Sequence, residues 1–279
     1  MKNTLLLLLV FIGMPAFAQE SFDGKVYETF YGTRIIHGQS VEMEKEGTLK
    51  FIIGHRFGLL KDGVYGLFGL DNSFIRFGLD YGVSPWLTVG VGRSSEDKTY
   101  DGYVKARLLQ QGDKSPISLV AFSSISARTL RLPETSFDYR FAYRLAFTQQ
   151  LMIARKFSDG FSLQLMPTYV HKNLVDSRVL ANDIIALGIA PRVKVSSNVA
   201  INAEFYQPLV GALPFGNQPS LALGVDIYTK GHLFQVHVSN SRGLIARNYV
   251  TETTGSILDG DFHLGFNITR NFQVRGRKY

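Results

Sequence analysis

The 279-residue chain contains no cysteine, which removes disulfides, thiolate metal sites, a cysteine nucleophile and a lipidated amino-terminal cysteine together. Beyond residue 18 it also lacks any apolar run near the ~18 residues that a membrane helix requires, so a helical membrane protein is excluded. It has no internal repeat, low-complexity tract or Pro/Gly-rich linker, and one folded domain is the simplest organisation. Ser-x-x-Lys, His-Glu-x-x-His and nucleophile-elbow patterns are missing as well. The glycine-rich stretches "GLFGLD" and "FIIGHRFG" precede no helix, so neither makes a phosphate cradle.

What is present starts with "MKNTLLLLLVFIGMPAFAQ". A lysine at position 2, an apolar run from Leu5 to Ile12 and the small-residue pattern Ala16-Phe17-Ala18 read as a secretory signal peptide over residues 1–18, with the mature chain starting at Gln19 and exported. Removing Lys2 leaves 29 basic against 23 acidic residues, a net charge of +6. The cations are scattered rather than gathered in a patch, so no nucleic-acid partner is expected.

The 21 Phe and 13 Tyr residues, with 27 Gly and near-zero mean hydropathy, fit alternating strands. In "FIRFGLDYGVSPWLTVGVG", Ile75, Phe77, Leu79 and Tyr81 take every second position and Arg76 and Asp80 lie between them, which is strand periodicity. Twelve such segments recur near 48–57, 74–82, 86–93, 100–110, 117–126, 140–155, 161–170, 184–195, 199–208, 220–228, 233–239 and 261–268. The phase of the last continues at Phe272 and Val274, so that strand runs past "TRN" and leaves "RGRKY" as a basic tail. Tight connections such as "VSP", "SDG" and "TKGH" alternate with long ones such as "NSRGLIARNYVTETTGSILDG". Short turns at one end and long loops at the other are the pattern of an all-β, antiparallel up-and-down transmembrane β-barrel. Residues 48–279 are assigned to this barrel of about twelve strands in the cell outer membrane. The stretch "TRIIHGQSVEMEKEG" could supply a thirteenth strand and break the even count; residues 19–47 are instead expected as a periplasmic lead-in or a partial lumen plug.

The two faces of the strands call for different solvents. Leu221, Leu223, Val225 and Ile227, like Phe262, Leu264, Phe266 and Ile268, give an apolar face suited to lipid. The other face carries Lys50, Arg56, Arg76, Asp80, Asp101, Lys105, Arg107, Arg140, Arg144, Arg192, Lys194, Glu204 and Asp226. So many ionisable groups cannot be enclosed in a dry soluble core without a severe desolvation cost, but they suit a polar lumen. Nine cations against four carboxylates leave five positive charges in excess, which would concentrate a small anionic solute. The expected role is a narrow passive pore, or an envelope-structural barrel closed by its own salt bridges. The expected partners are the outer-membrane lipid bilayer and, during biogenesis, the barrel-assembly machinery.

The stretches "GHRFG", "FGLDNSFIRFGLDYGVSPWLTVGVGRS", "YDGYVKARLL", "LMIARKFSDGFSLQLMPTYVHKNLV", "ALGIAPRVKVSSNVAINAEFYQPL", "GVDIYTKGHLFQVHVSNS" and "GFNITRNF" together resemble a family of outer-membrane β-barrels of unknown function from Gram-negative bacteria. The resemblance runs from about His55 to Phe272 and implies location and architecture. It brings no activity, cofactor or catalytic residue.

One motif points to chemistry. "HVSN", His237 to Asn240, resembles the His-x-Ser-Asn stretch of outer-membrane phospholipase A, which implies Ser239 as nucleophile and His237 as base of a lipid-modifying hydrolase. Asn248 would orient the base by spacing alone. Against this, Phe234, Val236 and Val238 occupy the lipid phase, which turns His237 and Ser239 to the lumen, and Ser241 replaces the glycine that follows the Asn. Asp259, Asp261 and His263 share a strand face at "DGDFH" and could ligate a divalent cation, although turn and lumen roles account for them equally; no metal and no cofactor is assigned. His55 is expected at a rim or interface rather than as a ligand.

Overall fold

Period-two alternation gives the twelve strands their two faces, and closure gives every edge a partner. The computed structural model describes residues 24–131 and 140–275; the signal segment lies outside the described residues. The strands are β1 (Thr48–Leu59), β2 (Ser73–Ser84), β3 (Leu87–Ser94), β4 (Tyr100–Leu109), β5 (Ser118–Ala127), β6 (Leu145–Lys156), β7 (Phe161–Lys172), β8 (Asp183–Lys194), β9 (Val199–Val210), β10 (Ser220–Thr229), β11 (His232–Ser239) and β12 (His263–Gln273). Each pairs antiparallel with the next, and β12 returns to β1, from Thr48↔Gln273 to Leu59↔His263. A sheet in hydrocarbon must close in this way, because an unpaired edge N–H or C=O there has no water to meet. Both the strand number and the ring order follow the sequence pattern.

The faces separate as the alternation requires. Leu223, Val91 and Ile201 are half exposed on the outer wall, while Asp80, Lys105, Arg192, Glu204 and Asp226, on the other phase, are buried inside. The assignment fails at Arg140 and Arg144. β6 starts at Leu145, and residues Phe141–Arg144 form a 3-10 turn in the preceding loop. "RFAYR" alternates like a strand, but Tyr143 N–H closes a turn on the Arg140 carbonyl, and the Arg144 guanidinium donates to the Arg128 and Leu130 carbonyls. Arg140 is exposed and does not line the barrel interior, whereas Arg144 is half-buried in the loop at the barrel mouth, where it lines a cavity with Lys172 and Arg247.

Residues 24–47 form no strand, yet they lie inside the barrel. Their two ends meet the short-turn end, with Lys25 bridged to Gly112 between β4 and β5, and Glu46 bridged to Gly82 of β2. Between those points the chain runs up the interior and reverses at residues 35–38, where Ile35 N–H bonds the Gly38 carbonyl and Ser40 N–H bonds that of Thr33. Phe30, Ile35, Ile36 and Val41 are all at most 2% exposed. From the long-loop end, the β11–β12 connection also folds inward and carries α1 (Ala246–Thr251), all six of whose residues are buried.

Candidate functional site

A backbone segment without sheet partners must find its hydrogen bonds elsewhere when buried, and side chains of nine strands, among them Lys156 of β6 to the Tyr27 carbonyl at 3.1 Å, supply contacts to residues 24–47. The Glu204 carboxylate of β9 is the central one. Its Oε2 accepts the N–H groups of Ile36 (3.1 Å) and His37 (2.8 Å), and its Oε1 accepts that of Gly38 (2.7 Å). Position 38 requires glycine, since a Cβ there would sit 2.3 Å from both Glu204 Oε1 and the Tyr206 hydroxyl. Gln164 of β7 receives the Val41 N–H and donates to the Gln39 carbonyl, at 2.9 and 2.8 Å. Gln235 of β11 donates to the Ile35 carbonyl (2.6 Å) and Asn267 of β12 to that of Ile36 (2.8 Å). Arg192 of β8 donates to the Glu28 and Thr29 carbonyls and stacks on the Tyr31 ring at 4.2 Å. Thr88 of β3 accepts the Glu44 N–H.

Charge fits too. Lys50 of β1 bridges Glu44 at 2.5 Å, and Lys105 of β4 donates to the Glu42 carbonyl at 2.6 Å. The acidic run "EMEKEG" thus lies beside the cations that an empty lumen would have presented to solvent. Two further pairs form within the wall: Arg76 Nε donates to Asp101 at 2.8 Å, and Gln235 donates to Asp226 at 2.9 Å. The inner phase also carries Lys156 of β6 and Lys172 of β7, and the inserted segment, with three basic and four acidic residues between 24 and 47, lowers the cationic excess by one.

Glycines on the inner phase make room for the large polar side chains. A Cβ at Gly92 would lie 2.1 Å from the Arg76 guanidinium, and one at Gly265 would lie 2.4 Å from His237 Nε2. Vestibules of about 660 Å³ at the long-loop end and about 620 Å³ at the short-turn end open outward, while cavities around the tip of the inserted segment hold only about 20 and 10 Å³, room for single waters.

The inserted segment and the inward loop meet at His37. Its ring stacks on Tyr249 of α1 (5.6 Å) and lies edge-on to His237 (5.6 Å). Its Nε2 is 2.9 Å from Ser239 Oγ, and Arg56 Nη2 is 3.3 Å from its Nδ1. The serine predicted from "HVSN" therefore has a histidine partner, but it is His37, 202 residues away, rather than His237. Both ring nitrogens of His237 are buried without a hydrogen bond. Ser239 is fully buried, and its Oγ also contacts the Leu221 carbonyl (2.8 Å) and the Ser241 N–H (3.0 Å). A guanidinium can only donate, so Arg56 makes Nδ1 the acceptor and leaves the His37 proton on Nε2. Nε2–H then donates to Ser239, whose own hydrogen goes to Leu221. Among the described residues, none is placed to take the hydroxyl proton as a base.

The other sequence candidates are dispersed. Asn248 donates to Glu252 at 2.9 Å rather than to a histidine. Asp261 bonds Lys61 and caps the Ser256 N–H, the Asp259 N–H closes a turn on Ser256, and His263 Nδ1–H donates to the Phe57 carbonyl at 2.9 Å. Among the described residues, no three His, Cys, Asp or Glu side chains are placed to hold a metal ion. His55 faces outward, its ring parallel to Phe266 at 5.0 Å. His37 and the acidic residues 42–46 lie in the stretch expected as a lead-in or partial plug, but no periodicity there, or around Tyr249, singles out their individual contacts. The available signal was the match between "EMEKEG" and a cationic lumen.

Comparison with known proteins follows this geometry. The family model described as membrane bound beta barrel domain (DUF5777) matches residues 30–272, so it includes most of the inserted segment and the twelve strands, all but the last residue of β12. No curated protein matches. Among solved structures, the KdgM porin superposes with a TM-score of 0.50 at 10% identity, covering 81% of this chain and 99% of that one, which is likeness of fold. The outer membrane phospholipase A from Escherichia coli reaches a TM-score of 0.41 at 12% identity, over 85% of this chain and 97% of that one.

Proposed function

The chain belongs to this family of membrane-bound β-barrels, and from that premise we propose that it resides in the outer membrane as a closed barrel, its long loops outside and its lumen stoppered by its own residues 24–47. The observation that carries this reading is the Glu204 carboxylate holding three successive backbone N–H groups at the tip of the inserted segment. Charge-assisted bonds of this kind are about twice as strong as neutral ones. Breaking them would strand a buried carboxylate, which is far costlier than breaking a surface contact.

A wide, constitutively open pore is disfavoured by the same arrangement, and the anion-preferring pore becomes a property of a state in which the segment has withdrawn. In that state Lys50, Lys105 and Arg192 would lose Glu44, the Glu42 carbonyl and the Glu28–Thr29 carbonyls and face water. Anions would be favoured there. The hydrolase reading loses support from the direction of the His37–Ser239 hydrogen bond.

Cysteine accessibility tests the stopper. Ile36→Cys, at a position 1% exposed, should resist a membrane-impermeant maleimide in folded protein, while Tyr65→Cys, at a position 99% exposed in the β1–β2 loop, should react at once. Equal labelling rates would overturn the proposal.

A further inference from the structure

The vestibule at the long-loop end is a concave space of about 660 Å³, within the 300–1,000 Å³ range of small-molecule sites. Its floor is rigid. Asn240 donates to the Gly255 and Pro219 carbonyls (2.7 and 2.8 Å), and the Thr253 hydroxyl bonds that of Ser241 at 2.8 Å. Along one wall the Arg242 guanidinium lies over the face of Phe74, 4.7 Å from the ring centre, with its Nε 3.6 Å from Glu96 Oε1. That separation is too long for a hydrogen bond, and Arg242 remains 54% exposed against 16% for Glu96. An aromatic face and a largely buried carboxylate thus make a seat for a flat cation, and a loosely held side chain of the loop occupies it.

Charge around the seat runs the same way. Five carboxylates line the space, those of Asp62, Glu96, Asp97, Glu252 and Asp261, against the guanidiniums of Arg128 and Arg242 and the imidazole of His263, which burial keeps below its ordinary pKa. Arg128 is committed to Asp97, and the cations behind the wall, Arg247 and Lys61, are committed to Glu252 and Asp261. Asp97 and Lys98 adopt left-handed backbone angles, φ 51° and 50°, in the tight β3–β4 loop that carries Glu96. The Glu96 carboxyl is raised to about 7, first by burial, with Glu252 and Asp97 adding to it and Arg242 and Arg247 opposing it.

We propose that this vestibule binds a small organic cation carrying a guanidinium or ammonium group, which displaces Arg242 from Phe74 and Glu96. A bare metal ion does not fit the space: it is too large, and the described acidic side chains make no three-ligand cluster. An anion would meet the surplus of carboxylates. The site is independent of whether residues 24–47 ever leave the lumen.

Titration calorimetry of the full chain folded in detergent micelles, with agmatine as probe and acetate as the anionic control, tests the proposal. Agmatine should bind saturably and acetate should not. Because Glu96 must be ionised to hold the cation, affinity should fall about tenfold from pH 8 to pH 6 as its ionised fraction drops, and Glu96→Gln should abolish both the binding and this dependence. Arg242→Ala, which vacates the seat, should bind agmatine more tightly, the opposite of what loss of a structural side chain would do. Heat-dependent gel migration verifies that each variant is folded. No saturable agmatine binding, unchanged affinity in folded Glu96→Gln, or weaker binding in folded Arg242→Ala would each overturn the assignment.

Discussion

His37 Nε2 lies 2.9 Å from Ser239 Oγ, and the bond runs from histidine to serine. Arg56 fixes that direction by donating to Nδ1, and the serine hydrogen is taken by the Leu221 carbonyl. A dyad that activates a nucleophile needs the reverse polarity, with the imidazole accepting from the hydroxyl. Ser239 should therefore stay unlabelled by a fluorophosphonate probe in detergent and in lipid. Stoichiometric labelling that is lost in His37→Ala would restore the hydrolase reading.

The filled interior has a mutational signature. In an open pore an inner-wall glycine tolerates a side chain, but here a Cβ at Gly265 would sit 2.4 Å from His237 Nε2 and 2.8 Å from both Arg56 Cδ and the His55 carbonyl. Gly265→Val should destabilise the folded barrel by about 1–3 kcal/mol, the usual range for overpacking, as measured by urea titration in lipid. Gly102 is the matched control: it points outward on β4, and a Cβ there would meet only the Gly90 carbonyl, at 3.9 Å. Gly102→Val should cost much less.

The outer wall gives the converse test. Leu223 is 49% exposed on β10, while its neighbours Ala222 and Gly224 face the packed interior. Leu223→Arg should cost about 2–4 kcal/mol in a lipid refolding assay if it lies within the apolar band, and Leu223→Ile should be nearly silent. Equal stability of the two variants in lipid would contradict the lipid-facing assignment.

Glu96 should make the loop-end vestibule more stable in mild acid. Its carboxyl is raised from 4.5 to about 7, with burial the largest cause, so the folded state holds this proton more tightly than the unfolded state does. The contribution is fully present below pH 4.5 and is lost as pH rises through about 7, on the order of 3 kcal/mol at most. Urea midpoints measured from pH 5 to pH 8 should fall more steeply for the wild type than for Glu96→Gln. Parallel curves would place Glu96 in an ordinary exposed environment.

How much of this was legible depended on periodicity. Leu221, Leu223, Val225 and Ile227 identify the outer face and Asp226 the inner one because a strand alternates without exception over that length; the number of strands follows from the alternation of short and long connections. The same rule misled at Arg140 and Arg144, where a helical turn reproduced a few residues of alternation just before β6. Residues 24–47 were harder. Their hydrogen bonds go to side chains such as Glu204, Gln164 and Asn267 rather than to a neighbouring strand, so no backbone pattern marks them. The His37–Ser239 contact joins residues 202 apart, and neither residue's local sequence specifies the other.

Conductance tests the central claim most directly. Full-length protein inserted in a planar bilayer under a potassium chloride gradient should show no steady open level, and a variant lacking residues 27–43 should conduct, with a reversal potential on the anion-selective side because Lys50, Lys105 and Arg192 then face the open lumen. A steady open conductance in the unmodified chain, at the level of the deletion variant, would contradict the closed barrel.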